Sequence, residues 1–148
     1  MLFRSKDFKR NRFTEYKDAI RRIQSHGITV NACFVVGLDG HDRQVFDSIE
    51  NFVANALPWD VQITVPTPFP GTPLYRQMQR ESRLIEDSAW EKCTLFDINI
   101  RPQLLTVDEL RNGFYRLSRV LYSDEFTKRR RDAFQRNWRE SWKLRRAA

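Results

Sequence analysis

Pro66-Thr67-Pro68-Phe69-Pro70-Gly71-Thr72-Pro73-Leu74-Tyr75 follows directly on the strand-like run Val61-Gln62-Ile63-Thr64-Val65. Pro66, Pro68, Pro70 and Pro73 supply no backbone donors for a helix or an inner strand, and each pushes its preceding residue into extended geometry. The segment therefore reads as a rigid, shaped loop. A buried strand that runs into a preorganised loop is how α/β folds build a pocket rim, because ligands sit outside the carboxyl ends of parallel strands. On composition alone the same segment also fits a proline-stiffened connector.

Working back towards the N-terminus, Thr14 can cap a helix whose Tyr16, Ala19, Ile20 and Ile23 share one face, and Gly27 closes it. Ile28 to Leu38 reads as a strand buried on both faces, with Asn31 as its polar exception. It ends in the turn Gly37-Leu38-Asp39-Gly40-His41. Asp42 then caps a helix with a broad apolar stripe from Val45 to Leu57, which Pro58 terminates. Strand, helix and strand joined by short connections make a right-handed βαβ crossover, and the expected fold class is α/β. In such a parallel pair both strands end on one edge, so the glycine turn and the proline loop would border one pocket mouth. Asn31, Gln62 and Thr64 would project towards a ligand there, or else be ordinary half-exposed polar residues of a sheet edge.

Working forward, Thr72 or Pro73 starts a short helix to about Arg80, Arg83-Leu84-Ile85 forms an extended stub, and Thr94 to Ile100 alternates like a strand. Thr106-Val107-Asp108-Glu109 is a capping box ahead of a helix with Leu110, Phe114, Leu117 and Leu121 on one face. Ser123 caps the last helix, which carries Phe126, Phe134, Trp138 and Trp142 on one side and basic residues around the rest.

The 148 residues are about one domain in length, and 41% apolar with 30% charged residues fits a folded, soluble chain. The longest apolar run, Ala32 to Val36, is far short of the roughly 20 residues of a membrane span, and no apolar segment follows the basic start, so a cytoplasmic location is expected. Two cysteines, Cys33 and Cys93, and two histidines, His26 and His41, build neither a disulfide framework nor a metal site. The thiols are expected to be reduced, buried and inert, and His41 to be a solvated loop residue. No catalytic triad, phosphate-binding glycine loop or paired carboxylate set stands out. Residues 126–148 hold nine Lys or Arg against Asp132 and Glu140, so they carry the whole net charge of +7 and residues 1–125 are balanced. A basic tail with two tryptophans invites a nucleic-acid reading, but its aromatics on one helical face are better explained as a docking stripe with a solvated basic back.

Phe34-Val35-Val36-Gly37-Leu38-Asp39-Gly40, followed some thirty residues later by Thr67-Pro68-Phe69-Pro70-Gly71-Thr72-Pro73-Leu74-Tyr75, resembles the second half of radical S-adenosylmethionine (radical SAM) proteins of the group with a cobalamin-binding domain in front. The resemblance continues through Trp90 to Asp97, Arg101-Pro102 and Tyr122-Ser123. It implies a partial (β/α) barrel remnant over residues 13–80 followed by a mainly helical C-terminal extension at 81–148, while residues 1–12, polar, basic and without period, read by themselves as a flexible lead-in. By resemblance the parent enzyme uses SAM and a [4Fe-4S] cluster, with cobalamin in some members, to modify an unactivated carbon. Asn31, Gly37, Gln62, Thr64, Phe69 and Gly71 are the implied SAM- or substrate-contacting residues. The chain departs from the family in having no Cys-x-x-x-Cys-x-x-Cys motif and in carrying Asp39-Gly40-His41 where Pro-Gly-Glu is usual. No cofactor is therefore expected on this chain alone, and it is expected to be inactive alone. Its expected partners are a second copy through an exposed sheet edge, or the missing N-terminal part of the parent. The other reading of function is a stand-alone interaction module with a basic docking helix.

Overall fold

In a computed structural model that describes residues 13–147, the helix that Gly27 was expected to close spans Phe13–Ser25 (α1). Gly27 takes φ +80°, the left-handed geometry for which glycine carries no Cβ penalty. Thr14 lies inside the first turn of α1 rather than before it, a shift of the size at which helix ends fray. There follow β1 (Asn31–Val35), α2 (Gln44–Ala56), β2 (Asp60–Thr64), α3 (Pro73–Arg80), a 3-10 turn at Trp90–Lys92, α4 (Val107–Leu121) and α5 (Asp124–Ala147). The lead-in at 1–12 lies outside the described residues.

The strands pair directly and in parallel: the Asp60 amide donates to the Val30 carbonyl at 3.1 Å and the Val36 amide to the Thr64 carbonyl at 2.9 Å, so the register advances the same way along both. The fold is thus α/β, with five helices and a two-stranded parallel sheet among the described residues. β1 departs from expectation in its burial. It alternates exposed with half-buried residues instead of being covered on both faces. A two-stranded sheet gives β1 one strand neighbour, and its outward residues find no cover among the described residues. Cys33, expected to be buried, is consequently exposed, and Cys93 is half-buried.

The chain divides into two compact units. The first holds the described residues up to Ala32, Glu50–Val61 and those from Leu121 onward; the second holds Cys33–Ile49 and Gln62–Val120. In the first, α1 packs on α5. Asn137 donates from Nδ2 to the Arg21 carbonyl at 2.9 Å and Arg145 from Nη2 to the Ser25 carbonyl at 3.0 Å. The buried Gln24 side chain donates to the Leu57 carbonyl at 3.1 Å and accepts the Trp59 amide at 2.7 Å, so a polar group inside the unit has both its ends satisfied. Trp59 meets Phe134 edge to face, with ring centroids 4.9 Å apart. The apolar stripe of α5 is narrower than its sequence pattern predicts: Phe134 is buried, whereas Trp138 and Trp142 remain exposed and Arg130 occupies a buried position.

In the second unit the core is built from Val36, Phe46, Ile63, Val65, Leu110 and Leu117 with their neighbours. Thr72 caps α3 as expected, its hydroxyl accepting the Tyr75 amide at 3.3 Å, and Pro73 fills the first helical position, where no amide donor is needed. The expected strand Thr94 to Ile100 does not form. The Thr94 hydroxyl takes the amides of Phe96 at 3.2 Å and Asp97 at 3.1 Å, which turns the backbone locally, and Leu95 sits at φ +69°. A non-glycine residue held there costs on the order of 1–3 kcal/mol. Only the end of the segment is extended: Ile100 bridges Leu84 antiparallel, so the stub expected at Arg83 to Ile85 is real. Beside that bridge the buried Asn99 amide exchanges two 2.9 Å hydrogen bonds with the backbone of Glu86.

At the start of α4 the capping box forms as read: the Glu109 amide donates to the Thr106 hydroxyl at 3.1 Å, and the Thr106 amide donates to Glu109 Oε2 at 2.8 Å. The Thr106 amide and, beyond it, the Arg43 guanidinium hold the Glu109 carboxyl below the usual glutamate range. A depressed folded-state value means that this contribution is complete above the ordinary glutamate pKa and is lost as pH falls through the lowered one. Replacing Glu109 with glutamine should therefore flatten the fall in stability between about pH 5 and pH 3, read from urea melts at stepped pH. An unchanged acid limb would mean that the box is open in solution.

Candidate functional site

The two loops that close the strands are shaped by different devices. Two residues beyond β1 stands Gly37, which is buried at φ +86°; a Cβ there would lie 2.8 Å from Leu110 Cδ2, so both backbone and space exclude a side chain. The next turn is clamped by an ion pair that the sequence pattern does not reveal. Arg83 donates from Nη2 to Asp39 Oδ1 at 2.6 Å and from Nη1 to Oδ2 at 3.3 Å, a two-point pairing of a planar cation with a carboxylate. Arg83 Nε also donates to the Arg101 carbonyl at 2.8 Å. The hydrogen bonds to Asp39 raise the already high pKa of this largely buried guanidinium, with burial opposing them. Asp39, which stands where the radical SAM pattern has another residue, thus fastens the glycine turn to the Arg83–Arg101 segment.

The proline loop is held by Thr72, whose hydroxyl donates to the Phe69 carbonyl at 2.7 Å while its amide donates to the same oxygen at 3.1 Å. Arg76 donates to the Gly71 carbonyl at 2.8 Å. Gly71 takes φ +84°, and the space where a Cβ would stand is open. Phe69 is exposed, so the loop presents an aromatic ring beside an unobstructed backbone.

Of the residues read as candidates, Gly37, Gln62, Thr64, Phe69 and Gly71 all fall in the second unit, and Asn31 lies exposed at the start of β1 in the first. Gln62 is half-buried and its Oε1 accepts the Cys33 thiol at 3.8 Å, a weak contact. Thr64 is turned onto the neighbouring strand, its hydroxyl donating to the Phe34 carbonyl at 3.3 Å. None of the six lines either of two clefts, one in each unit. The cleft of the second unit is walled by the segment from Ile85 to Arg101 and by α4; that of the first lies among α1, the end of α2 and α5. Sequence reasoning missed the former, whose only advance signal was the spacing of Lys92, Arg101 and Arg111 among aromatic residues.

A [4Fe-4S] cluster does not fit the side chains present: among the described residues no group of three or more His, Cys, Asp or Glu could hold a metal ion, and Cys33 and Cys93 are both free.

The family model of a domain of unknown function, DUF4070, matches residues 72–147. The bacteriochlorophyllide d C-12(1)-methyltransferase of Chlorobaculum tepidum is 26% identical over 129 residues, covering 86% of this chain and 27% of that protein. The anaerobic magnesium-protoporphyrin IX monomethyl ester cyclase of Cereibacter sphaeroides is 26% identical over 114 residues, covering 77% of this chain and 18% of that protein. The chain thus spans about a quarter of the first curated relative and less than a fifth of the second. No solved structure matches it.

Proposed function

Because the chain belongs to the family described as a domain of unknown function, DUF4070, we propose that it works as the C-terminal part of a larger radical SAM enzyme of the cobalamin-binding-domain type. The observation that carries this reading is the pairing of a glycine turn and a proline loop at the ends of two adjacent parallel strands, where α/β folds bind ligands. The family match and the two relatives, a methyltransferase and a cyclase aligned along most of this chain, support it.

In this reading residues 13–80 are a segment of the barrel and residues 81–148 an extension over its mouth. The cluster and the reductive cleavage of SAM belong to the part bearing the three-cysteine motif. This chain contributes Gly37, Gln62, Thr64, Phe69 and Gly71, all of the second unit, to the pocket wall, and no catalytic group. The side of β1 away from β2 has no strand neighbour among the described residues and pairs with a strand of the remaining barrel.

Two measurements test the proposal together. The native polypeptide, detected in its source cells with an antibody raised against this chain, should be several times larger than 17.8 kDa. That intact protein, reconstituted with iron, sulfide and a reductant, should form 5′-deoxyadenosine from SAM, whereas the 148-residue chain should form none. A native band at the mass of the short chain, or an intact protein that leaves SAM unreacted, would sink the reading.

A further inference from the structure

The second unit contains a cleft of about 340 Å³ bordered by α4 and by the segment between Ile85 and Arg101. That volume lies at the small end of ligand pockets. Lys92, Arg101 and Arg111 line it against a single carboxylate, Asp97, and that carboxylate is already engaged by the Thr94 hydroxyl at 2.6 Å. The balance of charge on the walls is therefore cationic. Lys92 is paired with Glu86, which is half exposed, and Arg111 with Asp108, which is 79% exposed. Ion pairs this open to water are weak, so an incoming anion can replace them without leaving a buried charge unpaired. Arg101 is placed rather than mobile, since its Nη1 donates to the Leu84 carbonyl at 2.6 Å.

The rest of the wall is apolar and aromatic. Phe96 is 51% exposed and Tyr115 60% exposed, and both line the cleft together with Ile85 and Ile98. Large rings left open beside a cationic cleft offer surface for a flat apolar body. Phe96 follows directly on Leu95, whose positive φ is a strained geometry of the kind that clusters at ligand sites.

We propose that this cleft binds a small amphipathic carboxylate, a molecule with a flat, largely apolar ring system and one carboxylate, whose ring lies against Phe96 and Tyr115 while Arg111 and Lys92 take the anion. Guanidinium is suited to the task because its planar fork meets a carboxylate at two points. The inference needs no part of the radical chemistry above.

The test uses the 148-residue chain, with 2-naphthoate as probe and backbone amide resonances as the readout. Saturable shifts confined to residues 85–101 and 107–115 are expected. The neutral isostere 2-naphthylmethanol should bind about tenfold more weakly, the scale of one charge-assisted hydrogen bond. Arg111→Ala and Phe96→Ala alter exposed side chains and should each weaken 2-naphthoate by a similar factor while the melting temperature stays unchanged. Equal affinity for the alcohol, shifts spread beyond the cleft, or no saturation at millimolar probe would overturn the proposal. Tighter binding of 2-naphthyl phosphate would also overturn it, since the cleft would then select a phosphate.

Discussion

Replacing Gly113 with alanine should destabilise the protein by about 3 kcal/mol, although the same change in an open helix interior would stabilise it by about 1 kcal/mol. The sign reverses because of what lies opposite. A Cβ built on Gly113 would stand 2.3 Å from Cε2 and Cζ of Phe46 and 2.7 Å from its Cδ2. Phe46 is buried, so its ring is held on all sides and cannot swing away as an exposed side chain would. The glycine is what lets α4 approach that ring. In urea the midpoint should fall with an unchanged slope, and for a chain of this length the melting temperature should drop by about 2–4 °C per kcal/mol. Trimming the ring with Phe46→Leu should remove most of the penalty of Gly113→Ala, so the two changes should be strongly non-additive. A Gly113→Ala protein more stable than its parent would mean that this close approach does not exist in solution.

Gly113 also shows where reading the sequence stops. A glycine inside an amphipathic helical pattern reads as a local weakness, because its reason lies on a residue 67 positions away. Features decided within a few residues were legible: the Thr106–Glu109 box, the Thr72 cap ahead of Pro73, the closing glycine of α1 and the Ser123 hydroxyl that accepts the Phe126 amide at 3.2 Å. Features decided by tertiary cover were not. β1 has the apolar run of a strand buried on both faces, yet Cys33 and Val35 are exposed, because the number of neighbouring strands is not written in the strand itself. Thr94 to Ile100 alternates as a strand should, but the Thr94 hydroxyl competes for the backbone and wins. For the site, the positive φ of Gly37 was legible in its glycine-bearing turn, whereas that of Gly71 was not. The Arg83–Asp39 clamp could not, since neither residue differs locally from a surface charge.

Arg130 is the strongest case of such hidden burial, and its removal is the second large effect expected. By its position in the tail it belongs to a run of four basic residues, Lys128 to Arg131, that reads as a solvated face. In the structure it is 1% exposed. Nη1 donates to the Leu121 carbonyl at 2.7 Å and Nη2 to the Thr127 hydroxyl at 3.3 Å, while Nε is buried without a partner among the described residues. A carboxylate oxygen of the half-exposed Asp60 lies 3.9 Å away. Burial accordingly pushes the guanidinium pKa down, against a smaller pull upward from Asp60. The charge is tolerated rather than stabilising, and the aliphatic stem and the bond to Leu121 are what the site gains. Arg130→Ala should cost about 3–5 kcal/mol, because it opens a cavity and strands the Leu121 carbonyl together. Arg130→Met fills the volume and removes the poorly compensated charge, so it should recover most of that loss and come within about 1 kcal/mol of the parent. Asp60→Asn should change little, since its pairing is long and open to solvent. Equilibrium unfolding of the three variants decides the matter: if methionine proves as damaging as alanine, the hydrogen bonds of the guanidinium outweigh its packing, and Arg130 is an anchor of α5 rather than a filled gap.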